Sequence, residues 1–501
     1  MILSNAAALA PLIYLFAGIS IPLIPFKIRK WAFPVALLAT LSAAVISLIN
    51  AFTVLESGPV HYHFGGWPPP IGIEYVLDPL AAFMTVAING ITFFVLIHSG
   101  RIVESEIPEH RTVPYYALVM LFLCGCNGIV MTGDLFNLYV FLEIGSLALY
   151  GLIAVGGKRS PVAAFRYLIL GTVGAGIYLL GVGFLYVHTG SLNMADVRAI
   201  LPTLGAQPVV IVALCLMILG MGIKMALFPL HGWLPDAYTY APSATTSIMA
   251  PIGIKIGAYG ILRILFFVFG IKFLATLFPV TQILAWISAA AILYGSVMAM
   301  AQDDLRRLLA YSSISQIGYI GLGIGLANPF GIIGAVLHIL NHGLMKACLF
   351  LISGTLRLKL RHSQISLFND ELRKKMPWTM AAFFVGALSM IGIPPTVGFF
   401  SKWYLALGTV SGKQWMFLAV ILISSLLNAI YFFRVIERIY LKPLSGSVEE
   451  SDGIPPQRIK VEASLLVPVL IFAVFLVVFG VLNTFIVKGI LYKVLPPGMT
   501  L

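Results

Sequence analysis

Long apolar runs follow one another along the chain, and short polar or charged turns separate them. The runs are continuous and lack the period-2 alternation of transmembrane β-strands, and most are long enough for a helix of about 20 residues to cross a bilayer. The pattern therefore predicts an all-α polytopic membrane protein with about fourteen transmembrane helices. We place these spans near residues 5–25, 32–54, 79–99, 114–131, 134–155, 164–187, 208–229, 242–269, 273–300, 308–326, 329–356, 377–410, 414–441 and 461–488.

Composition and the placement of charge support this prediction. Of the 501 residues, 60% are hydrophobic and 10% are charged, whereas soluble domains carry about 25% charged residues. If the N-terminus lies outside, the inside loops and helix ends hold 21 of the 31 Lys and Arg residues, the outside segments hold five, and five fall within spans. Positive charge collects on the cytoplasmic side, so we expect a multi-pass protein of the inner (cytoplasmic) membrane with both termini outside. The formal charge of +12 follows from this topology and does not indicate nucleic-acid binding.

Two of the predicted spans are interrupted. Span 7 carries Lys224 shortly before the Pro- and Gly-containing stretch 228–235, and span 12 carries the Ile-Pro-Pro stretch 393–395 shortly before Lys402. Broken helices at corresponding positions of two halves are typical of transporters built from inverted repeats, and their unpaired backbone groups must face protein or a water-filled cavity. We therefore expect discontinuous helices 7 and 12 and an internal repeat.

Several ionisable side chains lie inside the predicted spans. Each costs at least about 2.5–3.5 kcal/mol at the bilayer centre, and such residues usually face the interior of the helix bundle and mark ion pathways. Snorkelling of the side chain to the membrane surface is the alternative, and it fits Arg263 best, because that residue lies closer to a membrane face. The candidates for proton translocation are Glu143, Lys224, Lys255, His338, His342, Lys346 and Lys402.

Glu143 has no residue within a turn of its own helix that can neutralise it, so its partner must come from another span, and Lys224 is the natural candidate. Burial disfavours the charged form of a lysine, whereas a nearby carboxylate favours it. A lysine whose carboxylate partner moves away can therefore release its proton and reload when the partner returns. The alternative is a static buried ion pair that fixes the packing of two helices.

His338, His342 and Lys346 follow one another at i, i+4 and i+8, which places all three on one helix face. Histidine exchanges protons near neutral pH, so this stripe can connect lysines that are too far apart to exchange directly. Two histidines at i and i+4 can also bind a metal, but no HExxH motif or nearby carboxylate accompanies them. We predict a proton-relay helix and no metal site.

His231 and Asp236 lie in the break after span 7. They can gate proton entry, or Asp236 can cap the next helical segment, and the sequence favours neither interpretation. Asp134, just before span 5, is expected to be a helix N-cap. The charged stretch 303–307 is expected to be a solvated loop with local charge pairing.

Four stretches carry a family resemblance. Residues 133–143, 224–237 and 398–402, together with the helix of the His338/His342/Lys346 stripe, resemble the large subunits of Mrp-type cation/proton antiporters, in particular the D-type subunit. Counterparts of this subunit in membrane-bound hydrogenase-like respiratory complexes and the antiporter-like subunits of respiratory complex I are similar. The resemblance implies a division into helices 1–3 (residues 1–113), a first five-helix repeat (114–269), a second, inverted repeat (270–441) and a C-terminal loop with helix 14 (442–501).

The resemblance also implies roles for individual residues. Glu143 and Lys224 form the switching pair, Lys255 and the stripe of His338, His342 and Lys346 form the connecting relay, and Lys402 is the terminal carrier. These roles are what similarity to the family implies, and they agree with the chemistry of buried acids and bases.

The sequence therefore predicts a proton-translocating, sodium/proton antiport-linked subunit of a multisubunit Mrp-type antiporter, or of an Mrp-containing respiratory complex such as a membrane-bound hydrogenase. Its partners are H⁺ and Na⁺, the lipid bilayer and other membrane subunits. A membrane subunit of a complex I-like quinone oxidoreductase is the alternative, and a self-sufficient solute carrier is a third hypothesis. The chain carries no haem, iron–sulfur or nucleotide motif, so we expect no cofactor and no redox chemistry within it, although the whole complex can be an oxidoreductase.

Overall fold

The computed structural model describes residues 2–157, 159–442 and 459–500. Apart from one β-hairpin and short connections, this part of the chain is helical, which confirms the all-α prediction. The strands are β1 (Val60–His63) and β2 (Glu74–Leu77). The α-helices are α1 (Ile2–Ser20), α2 (Ala32–Ser57), α3 (Pro79–Glu106), α4 (Thr112–Met131), α5 (Leu135–Ala154), α6 (Ser160–Thr189), α7 (Met194–Leu204), α8 (Pro208–Met225), α9 (Leu234–Tyr240), α10 (Ser243–Leu262), α11 (Ile271–Leu274), α12 (Val280–Met300), α13 (Leu305–Gly325), α14 (Pro329–Leu360), α15 (Asp370–Lys375), α16 (Pro377–Ile391), α17 (Val397–Ser411), α18 (Trp415–Tyr440), α19 (Ala463–Val481), α20 (Asn483–Ile486) and α21 (Tyr492–Val494).

Eleven helices in the described part of the chain are long and apolar enough to cross a membrane, by length and composition. Two shorter apolar helices accompany them, at Ala8–Leu23 and Pro377–Ile391. A helix or a broken pair of helices lies at each predicted span, but the total of about fourteen crossings remains a prediction. Most of the predicted loop 442–460 lies outside the described residues.

Both predicted helix breaks are present. α8 ends because Ala226 adopts a left-handed conformation (φ 58°), and residues 227–233 then lead to α9. α16 ends before Gly392, whose φ is 94°, and residues 393–396 lead to α17. The last carbonyl groups of a helix have no partner within it, and two at the end of α16 accept hydrogen bonds from Lys402. The break after α16 therefore places polar backbone groups where a buried lysine binds them.

α14 lies at the centre of the bundle. Its most apolar 18-residue stretch is 100% buried, whereas the corresponding stretches around α2 and α18 are each 33% buried. The helix packs against α3, α10, α13, α16, α17 and α19. Since α14 carries His338, His342 and Lys346, the predicted stripe is shielded from lipid on all sides.

The β-hairpin closes one end of the bundle beside the start of α5. Its strands are antiparallel, with His63 opposite Glu74, and the buried Glu74 carboxylate accepts a hydrogen bond from Asn193 Nδ2 at 2.7 Å. The adjoining Asp134 accepts a hydrogen bond from the backbone N–H of Asn137 at 2.6 Å. This contact confirms Asp134 as the N-cap of α5.

Two buried arginines have clear structural partners. Arg263 forms two hydrogen bonds with the carboxylate of Asp78, at 2.5 and 2.6 Å, which supports a structural role for it. The expectation of a solvated loop over residues 303–307 is wrong for Arg306, because its side chain is only 2% exposed. Its guanidinium turns inward and donates to the carbonyl of Ala241 at 2.7 Å and to the Thr246 hydroxyl at 2.6 Å. The carbonyl of Ala241 lies just beyond the end of α9, where no helical N–H is available to it.

Candidate functional site

Six of the seven predicted relay residues are buried, and Glu143 is half-buried. Among the described residues, none of the four relay lysines forms an ion pair with a carboxylate. Their amines donate instead to hydroxyl and carbonyl oxygens inside the bundle, so these side chains do not snorkel to the surface. The exposed fractions are 5% for Lys224, 2% for Lys255, 6% for Lys402, and 0% for His338, His342 and Lys346.

The predicted switching pair is apart in this structure. Lys224 donates hydrogen bonds to the hydroxyls of Ser146 at 2.7 Å and Tyr150 at 3.2 Å. Ser146 and Tyr150 lie three and seven residues after Glu143, so all three share one face of α5. The Oε1 atom of Glu143 is buried without a hydrogen-bond partner among the described residues. The lysine is thus held about one helical turn from its predicted carboxylate.

Little free volume surrounds the amine of Lys224. A cavity of about 30 Å³ lies beside it, lined in part by Ser146 and Tyr167, which is enough space to hold water. On α6, Gly171 faces the same group, and a Cβ at that position would lie 2.1 Å from the Tyr150 hydroxyl and 3.2 Å from the Lys224 amine. Only glycine at this position leaves room for the observed arrangement.

Lys255 lies on α10 in apolar surroundings. Its amine donates to the carbonyl of Ala250 at 2.5 Å, and a cavity of about 10 Å³ beside it is lined by aliphatic side chains that include Ile88 and Ile339. Within the described part of the chain, no hydrogen bond joins Lys255 to Lys224 or to His342. The site therefore consists of separate clusters, and protons pass between them only if side chains or water move.

Helix α13 supplies partners to three of the predicted relay residues. Ser312 accepts a hydrogen bond from Lys346 at 2.6 Å. Gln316 lies one turn further, with its Oε1 2.9 Å from His338 Nε2. The ring of Tyr319 lies another turn on, with its centroid 5.1 Å from the Lys402 amine. These three positions are spread along one side of α13 and follow the relay from Lys346 to Lys402.

His338 connects α13 to the broken helix. Its Nδ1 lies 2.8 Å from the hydroxyl of Ser401, the residue before Lys402. Its ring also lies parallel to that of His342, with centroids 5.9 Å apart and an interplanar angle of 15°. Both ring nitrogens of His342 are buried without a partner among the described residues. The parallel rings show that His338 and His342 lie on the same face of α14.

Lys402 lies at the far end of the predicted row of relay residues. Its amine donates to the carbonyls of Met390 at 3.0 Å and Ile391 at 2.9 Å, both at the end of α16, and reaches the Ser425 hydroxyl at 3.4 Å. A neutral or a charged amine can bind these oxygens, since carbonyl and hydroxyl groups accept hydrogen bonds from either form. The break in the helix thus provides a cradle for a base whose charge can change.

The two candidate gating residues lie at the break between α8 and α9. Asp236, in the first turn of α9, forms an ion pair with Arg166 of α6 at 2.5 Å. It is not the capping residue, since Trp233 occupies that position without a side-chain hydrogen bond. The His231 ring lies against Phe228, with centroids 5.5 Å apart, and its Nδ1 has no partner among the described residues. A gating role for His231 and Asp236 stays a prediction.

Sequence reasoning missed the neutral partners of the relay. These residues are uncharged and occur in most helices, but on α13 they recur at positions 312, 316 and 319, the spacing of one helix face. That polar spacing was a usable signal. The missed partners are Ser146, Tyr150, Ser312, Gln316, Tyr319, Ser401 and Ser425.

Among the described residues, no group of three or more His, Cys, Asp or Glu side chains is arranged to hold a metal ion.

Comparison with known proteins adds to this geometry. The model of the NADH:quinone oxidoreductase/Mrp antiporter transmembrane family matches residues 132–428. The N-type subunit of the NADH-quinone oxidoreductase of Desulforudis audaxviator is 49% identical over 467 residues, which cover 92% of this chain and 92% of the relative. The D-type subunit of the Na⁺/H⁺ antiporter of Bacillus subtilis is 31% identical over 437 residues, which cover 87% of this chain and 86% of the relative.

Solved structures show the same fold. A chain of the Mrp complex from Dietzia sp. superposes with a TM-score of 0.86 at 25% identity, covering 98% of this chain and 96% of that one. A chain of the membrane-bound sulfane sulfur reductase, an archaeal respiratory membrane complex, gives 0.86 at 30% identity with the same coverage. A chain of respiratory complex I from Thermus thermophilus gives 0.80 at 22% identity, covering 97% of each chain.

Proposed function

The chain belongs to the NADH:quinone oxidoreductase/Mrp antiporter transmembrane family, and from this premise we propose that it is a proton-translocating membrane subunit of a multisubunit assembly. The assembly is an Mrp-type antiporter or a respiratory complex with Mrp-like subunits. Protons pass along Glu143, Lys224, Lys255, the stripe on α14 and Lys402. We further propose the division that the resemblance implies, with two inverted five-helix repeats in residues 114–269 and 270–441.

One observation carries the proposal. Four lysines are at least nine-tenths buried, and among the described residues none of their amines lies within 4 Å of a carboxylate oxygen. A permanently charged, unpaired lysine inside a bilayer is costly, whereas an amine that gains and loses its proton bears that cost only part of the time. Hydroxyl and carbonyl partners serve both forms. Purely structural lysines would be expected to have fixed counter-ions.

The first step is a switch between two partners of Lys224. In the observed arrangement the amine is bound to Ser146 and Tyr150, and Oε1 of Glu143 has no hydrogen-bond partner among the described residues. Movement of the amine along the face of α5 to Glu143 favours its protonated form, and return to the hydroxyls favours proton release. Each cycle transfers one proton towards Lys255, through water or by side-chain motion between the clusters.

In the second half of the path Lys346 and His338 each have hydrogen-bond partners, whereas His342 has none among the described residues, so water or side-chain motion must join it to its neighbours. Lys346 binds Ser312, and His338 lies between Gln316 and Ser401. The stacked His342 connects the two in the proposed sequence. Ser401 is adjacent in the chain to Lys402, which holds the last proton before release. His231 and Asp236 control entry near the break of α8 and α9.

The position of Glu143 supports a multisubunit assembly. Along α5 it shares a face with three exposed apolar residues, Phe136 (43%), Val140 (36%) and Leu147 (59%). A carboxylate next to lipid would be costly, so this face is covered by another membrane subunit in the working complex. The relay then continues from one subunit to the next.

The central test uses membrane vesicles that contain the intact host complex. Glu143→Gln and Lys224→Met each remove one member of the switch, and we expect both to abolish cation-dependent proton transport, measured with a pH-sensitive dye, while the complex still assembles. Glu56→Gln is the matched control, because this exposed carboxylate lies at the end of α2 outside the relay. Normal transport by either relay variant would refute the assigned roles.

Sodium is the proposed counter-ion. The support is the similarity to the D-type subunit of a Na⁺/H⁺ antiporter. In the same vesicles, replacing NaCl with choline chloride should remove the cation-dependent part of the pH change. An unchanged response would refute sodium coupling without affecting proton transfer along the relay.

A subunit of a complex I-like quinone oxidoreductase is the second candidate. The relative with 49% identity, which is named as part of an NADH-quinone oxidoreductase, favours it. Purification of the native complex distinguishes the two, because co-purification of quinone-reactive redox subunits is expected only for an oxidoreductase. The proposed location is the cytoplasmic membrane with both termini outside, and impermeant labelling of terminal tags on intact cells tests it.

A further inference from the structure

A cavity of about 770 Å³ opens at the end of the bundle where α2, α4 and α19 begin and α3 ends. Part of its wall is apolar, formed by Phe33, Ile97 and Tyr116, and its rim is charged. None of the relay residues lines it. The charged side chains are Lys27, Arg29, Lys30, Arg101, Glu104 and Glu109.

The charge of this rim is positive on balance. Arg29 forms an ion pair with Glu109, and Arg101 forms one with Glu104 at 2.6 Å. Each acidic residue of the rim is therefore matched by one arginine, and the neighbouring Glu462, 3.7 Å from Arg101, is matched by Lys359 at 2.9 Å. The two lysines, Lys27 and Lys30, are exposed and remain as the excess charge. The cavity is suited to an anion.

The N-terminal ends of two helices add to the positive potential of the rim. Thr112 is the first residue of α4 and Ser464 lies in the first turn of α19, and both line the cavity. Backbone N–H groups at helix N-termini carry partial positive charge and attract anions. The C-terminal end of α3 opposes this effect at one side. The lysines and the two hydroxyls supply side-chain donors at the same place.

Side chains typical of the membrane–water interface surround the mouth of the cavity. On the turn Phe26–Trp31, which carries the two lysines, Ile28 is 46% exposed and Trp31 is 57% exposed. Tryptophan and long basic side chains are typical of the membrane–water interface. The turn thus presents apolar side chains to lipid and basic side chains to the cavity rim.

We propose that this cavity binds the headgroup of an anionic phospholipid. The phosphate lies between Lys27 and Lys30, and the first methylene groups of an acyl chain follow the wall formed by Phe33 and Ile97. A free phosphate ion would use the rim but leave the apolar wall uncovered. Basic pockets between transmembrane helices are known to bind anionic headgroups. The proposal does not depend on proton transport.

The test measures lipid binding to the purified full chain by native mass spectrometry in detergent. Phosphatidylglycerol or phosphatidylcholine is added at matched concentrations to the wild type and to the double variant Lys27→Gln/Lys30→Gln. Lys272→Gln/Lys413→Gln is the control, because it removes the same charge from exposed residues at the opposite end of the bundle. Lys27→Arg/Lys30→Arg keeps the charge and should restore binding.

We expect the wild type and the control to retain phosphatidylglycerol over phosphatidylcholine, and the Lys27→Gln/Lys30→Gln variant to bind phosphatidylglycerol about 30-fold more weakly. Equal binding of the two lipids by the wild type, or unchanged binding by the double variant, would overturn the proposal. Displacement of the lipid by inorganic phosphate would overturn the part played by the apolar wall, because it would show that charge alone is recognised. A neighbouring protein subunit occupying the cavity in the intact complex, seen as loss of phosphatidylglycerol selectivity there, would also overturn it.

Discussion

Gly171→Ala is expected to disable the relay without unfolding the protein. The added Cβ would lie 2.1 Å from the Tyr150 hydroxyl, a distance that real Cβ atoms essentially never show, and 3.2 Å from the amine of Lys224. Ordinary contact begins at 3.4 Å, so the hydroxyl must retreat by about 1 Å. The hydrogen bond from Lys224 to Tyr150, now 3.2 Å long, is then lost.

The two consequences of this change differ in size. In the middle of a helix, alanine is favoured over glycine by about 1 kcal/mol, which offsets much of the about 1–3 kcal/mol that overpacking costs. The lost hydrogen bond to an amine that can be charged is worth about 1.5–3 kcal/mol. That energy corresponds to a loss of about tenfold or more in the population of the state with Lys224 on α5. Transport should therefore fall much more than assembly.

The assay compares proton transport in energised membrane vesicles with the amount of assembled complex on a native gel. Gly176→Ala is the matched control, since a Cβ on this glycine of the same helix would meet nothing within 4 Å. Tyr150→Phe gives a second comparison, because it removes both the hydrogen bond and the clashing oxygen. We expect Gly171→Ala to cause little further loss in the Tyr150→Phe background.

Two results would refute this reasoning. Wild-type transport by Gly171→Ala would show that the contact with Tyr150 does not matter for the switch. Equal losses in Gly171→Ala and Gly176→Ala would show that the effect belongs to α6 as a whole.

Three further predictions concern the partners that the structure revealed. Ser146→Ala removes the shorter hydrogen bond to Lys224, and we expect transport to fall about tenfold with normal assembly, whereas Ser146→Thr should keep the hydroxyl and most of the activity. Gln316→Leu leaves His338 without its 2.9 Å partner; transport in vesicles should fall and its pH profile should change, and an unaltered profile would mean that α13 does not tune the histidine. Asp78→Asn leaves a buried guanidinium without its counter-ion and should destabilise the protein by about 3–5 kcal/mol, seen as reduced thermal stability and yield rather than as a transport defect in the surviving complex.

Much of the fold follows from local sequence patterns. Continuous apolar runs predicted a helical membrane protein, because insertion of a helix depends mainly on the hydrophobicity of its own residues. The breaks were predictable for the same local reason, since proline and glycine disrupt a helix wherever they fall. The buried bases were also predictable, because placing the charge of Lys224 or Lys346 in a membrane-spanning segment costs free energy, and such residues usually have a function.

The sequence by itself thus determined the class of protein, the broken helices and which ionisable side chains lie within the spans. Only the tertiary structure decided what those carriers bind, because the hydrogen bonds cross between helices and join residues as far apart in the chain as Ser146 and Lys224. Serine, glutamine and tyrosine are ordinary helix residues, and nothing in their local spacing fixes which neighbouring helix they face. The inward turn of Arg306 has the same cause: its partner is a carbonyl released at the end of another helix, and that position exists only after the bundle has packed.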